Sequence, residues 1–181
     1  SYLSWPTWPE NQRQRMIAAI RPQADLLRTH EQLWNETQAR RDAVLFLPFR
    51  RWVETNTCAA SRLAAALTRA NVQYEVLSEE NFSTTELKQT RILIVENLSV
   101  LGPKEKSVVA TFKRNGGRVI VADESDWLKE VERANGKPAV SLRGTTTLRT
   151  IVRNQAGRTI VHLLNLNVQR LSSFEDKVTP A

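Results

Sequence analysis

Residues 91–122 read RILIVENLSVLGPKEKSVVATFKRNGGRVIVA, and their pattern decides the fold. Arg91-Ile-Leu-Ile-Val-Glu96 is a short apolar run without the alternation of a strand that keeps one face in water, so it predicts a strand buried on both faces. Gly102-Pro103 opens a helix from Lys104 to Arg114, which Asn115-Gly116-Gly117 closes. Proline just inside the start and glycine just past the end is the usual helix asymmetry. Arg118-Val-Ile-Val-Ala122 reads as another strand. Strand, helix and strand joined by short connections imply a right-handed crossover between parallel neighbours.

The same alternation extends towards the N-terminus. Asp42-Ala-Val-Leu-Phe-Leu-Pro48 predicts a buried strand stopped by proline, and Cys58 to Ala70, rich in Ala, Leu and Arg, predicts a helix capped by Thr55-Asn56-Thr57. Val72-Gln-Tyr-Glu-Val-Leu77 is a further strand, and Ser83-Thr-Thr-Glu86 has the spacing of a capping box before a short helix or turn. Residues 1–41 form a helical connector packed on the domain. In it Met16, Ile17 and Ile20 share a face, Pro22 breaks or restarts the helix, and Leu26, Leu27, His30, Leu33 and Trp34 continue an apolar stripe. Asp123 to Lys137 is polar around Trp127-Leu128. Thr150 to Leu164 predicts a glycine-turned hairpin that adds antiparallel edge strands to the sheet. The expected fold class is α/β, a three-layer α/β/α, flavodoxin-like arrangement with a mostly parallel sheet and a C-terminal β-hairpin. Residues 42–170 form the α/β domain, and residues 171–181 are a tail leading to a missing domain.

The composition bounds function less tightly. A chain of 181 residues with 41% hydrophobic and 25% charged residues fits one ordinary globular domain. No run approaches the ~20 apolar residues of a membrane span, and the N-terminus has no signal-peptide pattern. The compartment is therefore left open between cytoplasmic and exported with a parent protein. A net charge of +7 favours acidic partners, but Arg13/Arg15, Arg40/Arg41 and Arg50/Arg51 are scattered among acids, which argues against nucleic acid.

No complete catalytic set emerges. Cys58, the single cysteine, excludes an internal disulfide and lies well past the first strand with no glycine beside it. A nucleophile of this fold sits instead on a sharp strand-to-helix turn. His30 and His162 read as packing residues, without an i, i+4 pair or carboxylate cluster to hold a metal. No glycine-rich phosphate fingerprint follows a strand, so no cofactor is expected. Ligands of open parallel sheets bind beyond the carboxyl ends of the strands. Those ends carry Arg50, Arg51, Glu96, Asn97, Asp123 and Glu124, which could hold a polar ligand such as a sugar against Trp52 or Trp127. The competing reading is that these are ordinary loop polar groups, with Asp123 to Asp126 capping a short helix.

The order of elements resembles the middle, Rossmann-like domain of family 42-type β-galactosidases and related glycoside hydrolases, itself similar to class I glutamine amidotransferases. The matching stretches are Asp42 to Pro48, Leu63 to Val76, Arg91 to Glu96, Phe112-Lys-Arg-Asn-Gly-Gly-Arg-Val-Ile120, and Val161-His-Leu-Leu-Asn165. In that family a preceding barrel supplies the catalytic carboxylates, and the middle domain serves assembly or trimerisation. The resemblance thus implies a non-catalytic accessory domain, for interdomain packing or oligomerisation, with the chain's other domains as partners and no catalytic residue carried over. It also implies that residues 1–41 leave a barrel and that the end at Ala181 is a domain boundary. The alternatives are an amidotransferase-like hydrolase using Cys58, and a module binding carbohydrate or polyanions.

Overall fold

The computed structural model describes residues 9–123, 125–138, 140–142, 147–172 and 175–179. The chain opens with α1 (Glu10–Thr29), which runs through Pro22 unbroken. A proline there removes one main-chain bond without ending the helix. None of its residues is fully buried, and Met16 and Ile17 are half-buried. A 3-10 turn (Glu31–Leu33) and the two-residue strand β1 (Gln38–Ala39) follow.

The centre of the molecule is the strand β2 (Ala43–Leu47), whose first four residues are completely buried. Next come α2 (Phe49–Thr55), α3 (Ala60–Arg69) and β3 (Tyr74–Ser78). A 3-10 turn (Glu86–Gln89) leads to β4 (Ile92–Val95), and α4 (Pro103–Arg114) leads to β5 (Arg118–Val121). These four strands form one parallel sheet in the order β3-β2-β4-β5, with Val44 opposite Glu75 and Leu93, and Leu93 opposite Val119. The first strand is thus interior, as its all-apolar sequence requires.

Both faces of the sheet are covered. Ala43, Leu45, Ile92 and Ile94 point to one face and pack on Leu63 and Leu67 of α3 and on Trp127 and Val131 of α5 (Trp127–Asn135). Val44, Phe46, Leu93 and Val95 point to the other and meet Val109 and Phe112 of α4, with Phe82 and Leu87. Phe46 and Phe82 touch edge to face with centroids 4.9 Å apart. The Gly116-Gly117 turn has two distinct uses. Gly116 takes the left-handed conformation (φ 84°) that few other residues tolerate, and Gly117 lies so close to the Phe112 ring that a Cβ would come within 2.4 Å of it.

The hairpin forms as expected, with β6 (Leu148–Gln155) and β7 (Arg158–Asn165) joined through Gly157 at φ 76°. Its placement differs from expectation. Instead of extending the parallel sheet, it pairs with β1 to make a separate antiparallel sheet in the order β1-β6-β7. Side-chain amides cause the difference. The Asn71 Oδ1 accepts from Thr150 N (2.9 Å) and the Gln73 Oε1 from Val152 N (2.9 Å), so the segment before β3 meets β6 through side chains rather than through a ladder. Trp34 stacks on His162 of β7 with centroids 5.2 Å apart. The end of the expected α/β domain and the expected tail together contribute a second antiparallel ribbon, β8 (Val168–Ser172) with β9 (Glu175–Val178).

Candidate functional site

The carboxyl ends of β2, β3, β4 and β5 open onto α2, the start of α3 and the loop before α5, and here the predicted residues gather. Glu96 directly follows β4 and is 8% exposed. Its Oε1 accepts from the Arg51 guanidinium at 2.6 Å, and its Oε2 accepts from Ala59 N at 2.7 Å. Ala59 is the N-cap residue just before α3, so the carboxylate of one strand end caps the helix that follows a neighbouring strand. A negative charge at a helix N-terminus is favoured by the free N–H groups there and by the helix dipole.

Glu79, one residue past β3 and 7% exposed, repeats the device. Its two oxygens accept from Phe49 N (3.1 Å) and Arg50 N (3.2 Å), the first N–H groups of α2. Sequence reasoning missed Glu79, although the strand-end rule that selected Glu96 points to it equally well. It also missed α2, assigning no element to residues 49–54. Pro48 and Phe-Arg-Arg-Trp-Val-Glu-Thr give no amphipathic signal, and the carboxylate that caps the helix lies 30 residues away.

The remaining predicted residues divide. Asn97 donates to Asp123 at 2.7 Å while its own Oδ1 accepts from Ser99 N at 2.8 Å and caps the turn Leu98–Val100. Arg50 contributes its main chain to Glu79, and its side chain is exposed. Glu124 lies outside the described residues. Of the two tryptophans expected to face a sugar, Trp127 is buried in the core under α5 and cannot do so. Trp52 is 44% exposed and meets Phe49 edge to face, with centroids 5.9 Å apart.

Cys58 is half-buried and lies two residues before α3, not inside a helix as the sequence implied. Its Sγ accepts from Ala60 N at 3.2 Å. Burial pushes the thiol pKa up, the Ala60 N–H works against that, the Glu96 carboxylate adds to the rise, and Arg51 opposes it. The net effect disfavours the thiolate that a nucleophile needs. No histidine is among the groups acting on it; His30 closes α1, and His162 stacks on Trp34. Disulfide-exchange reagents are therefore expected to label Cys58 more slowly at pH 7 than free cysteine, with the rate climbing above the ordinary thiol range. A folded-state pKa above the unfolded one stabilises the fold below the unfolded value and ceases to do so as pH rises through the folded one. A rate equal to or faster than that of free cysteine at pH 7 would contradict this assignment.

Among the described residues, no three His, Cys, Asp or Glu side chains converge as metal ligands would, and no helix is long and apolar enough to cross a membrane. A cleft of about 460 Å³ lies at the opposite, amino end of the sheet, between Leu87, Lys88, Arg91, Phe112 and Gly117. It shares no residue with the carboxyl-end group. No protein-family model, curated protein or solved structure matches the chain.

Proposed function

We propose that this chain is a non-catalytic accessory domain of a larger glycoside hydrolase, serving interdomain packing or oligomerisation. One observation carries the reading. Glu79 and Glu96 at the strand ends are taken up as caps of α2 and α3 and Asn97 bonds Asp123, while the apolar side chains Phe49, Trp52 and Val53 beside them are 42%, 44% and 68% exposed. A ligand pocket has the reverse arrangement, with convergent free polar groups in an apolar recess. An exposed apolar cluster rimmed by satisfied polar groups is suited to being covered by protein.

The finer fold assignment belongs to the same proposal. The strand order β3-β2-β4-β5, with helices on both faces, supports a three-layer α/β/α, flavodoxin-like arrangement of the kind found in class I glutamine amidotransferases. The link to glycoside hydrolases rests on the resemblance of Asp42 to Pro48, Arg91 to Glu96 and Phe112 to Ile120 to the middle domain described above. The raised thiol pKa and the absence of a histidine from the groups acting on Cys58 weigh against the hydrolase alternative.

Sedimentation and glycoside hydrolysis of the parent polypeptide, with and without residues 42–170, check the proposal. Loss of assembly or a lowered hydrolysis rate in the shortened form is expected. Unchanged assembly together with unchanged hydrolysis would defeat it.

A further inference from the structure

We infer that the cleft at the amino end of the parallel sheet binds a phosphate monoester of a small molecule. This goes beyond the accessory-domain reading and shares no residue with it, so either can fail alone. The turn Glu86–Gln89, the start of β4 and the end of α4 enclose a volume of about 460 Å³, within the range of small-molecule sites. The floor is apolar, formed by Leu87 and the Phe112 ring, which are 2% and 5% exposed. Gly117 brings only main chain to it, because a Cβ there would strike that ring.

The rim sets the charge of the ligand. Lys88 and Arg91 line the cleft, and no acid does so among the described residues. Cations to either side are neutralised, Arg41 by Glu75 and Glu86 and Arg118 by Glu130. Glu86 lies two residues from Lys88 yet is drawn to Arg41 and bonds neither cation of the cleft. The side chains of Lys88 and Arg91 thus have no ion pair or hydrogen bond among the described residues, and those of Thr84 and Asn115 on the same rim are equally free. Unpartnered polar groups around an apolar floor are the arrangement of a ligand site, which the carboxyl end of the sheet lacks. The end of α4 does not bar an anion. The carbonyls of Thr111, Phe112 and Lys113 already accept from the N–H groups of Asn115, Gly117 and Gly116. Lys113 and Arg114 in the last turn offset the helix dipole.

The donors narrow the class. Ammonium and guanidinium groups only donate, so they match an oxyanion. The arginine fork meets two oxygens of one head group, and the lysine adds a point charge. A phosphate monoester carries about −1.5 to −2 at pH 7, which balances both cations. A carboxylate carries one charge and leaves a cation unmatched. The organic body of the ester covers Leu87 and Phe112.

Titration of the isotope-labelled full chain with phenyl phosphate, followed by amide chemical shifts, tests the assignment. Saturable shifts are expected at Lys88, Gly116 and Gly117, and inorganic phosphate is expected to move the same amides with weaker affinity because it leaves the floor uncovered. Arg91→Ala and Lys88→Ala are each expected to weaken phenyl phosphate binding about tenfold or more with unchanged far-ultraviolet circular dichroism. Arg62→Ala, at an exposed cation of α3 on the other face of the sheet, is expected to leave it unchanged. The absence of saturable shifts in the unmodified chain would overturn the site without recourse to any variant. An equal loss in Arg62→Ala would reduce it to attraction by the net charge of +7 and overturn it as well. Inorganic phosphate bound as tightly as the ester, or an oligonucleotide bound at these amides more tightly than the ester, would overturn the small-monoester class. Any of those results leaves the accessory-domain reading standing.

Discussion

Phe46→Ala is expected to destabilise the chain by about 3–5 kcal/mol, the range for deleting a fully buried aromatic side chain. Phe46 has no exposed surface, sits on the interior strand β2, and fills the space between the sheet and Phe82, Leu87 and Phe112. Its removal forfeits the burial of the ring and leaves a cavity that β2, bonded on both sides by β3 and β4, cannot collapse to fill. Urea unfolding followed by tryptophan fluorescence reads the effect as a lower midpoint at unchanged slope. A loss below about 1 kcal/mol would mean that this half of the core is not packed as described.

Glu96→Ala is the second large effect, about 2–3 kcal/mol, because it removes two charge-assisted hydrogen bonds from a buried site. The Ala59 N–H at the start of α3 loses its acceptor, and the Arg51 guanidinium loses its carboxylate. Arg51 is itself 44% exposed and can turn to water, so most of the cost falls on the helix cap and on the vacated space. Asp123→Ala serves as the control at the same end of the sheet, with an expected change within about 0.5 kcal/mol, since Asp123 is exposed and among the described residues bonds only Asn97. Equal effects of the two substitutions would refute the distinction drawn between the structural acid and the surface acid.

The interior strands of the parallel sheet were legible because they are buried on both faces. Asp42 to Pro48 and Arg91 to Glu96 are runs that few structures other than interior strands accommodate, and Gly102-Pro103 and Gly116-Gly117 mark the helix between β4 and β5 to within a residue. What escaped the sequence depends on distant partners. The capping group of α2 is Glu79 and that of α3 is Glu96, so no local signal marks where either helix begins. The hairpin was recognised from its alternation and its glycine, yet its docking is decided by Asn71 and Gln73, polar residues that sequence alone gives no reason to single out. The candidate site was legible as a place more than as a set of partners. Arg51 with Glu96 and Asn97 with Asp123 do come together, but Trp127 turns inward and the acid that most resembles Glu96 in its use is Glu79.

On the proposed reading, the strand ends hold the fold together and perform no chemistry of their own. The most direct test is turnover by the purified chain of glutamine, a chromogenic ester and a panel of chromogenic glycosides, measured beside Cys58→Ala. The account predicts no turnover above the uncatalysed rate for any of them and no difference between the two proteins. Turnover that Cys58→Ala abolishes would contradict it and make the thiol beside Glu96 a nucleophile.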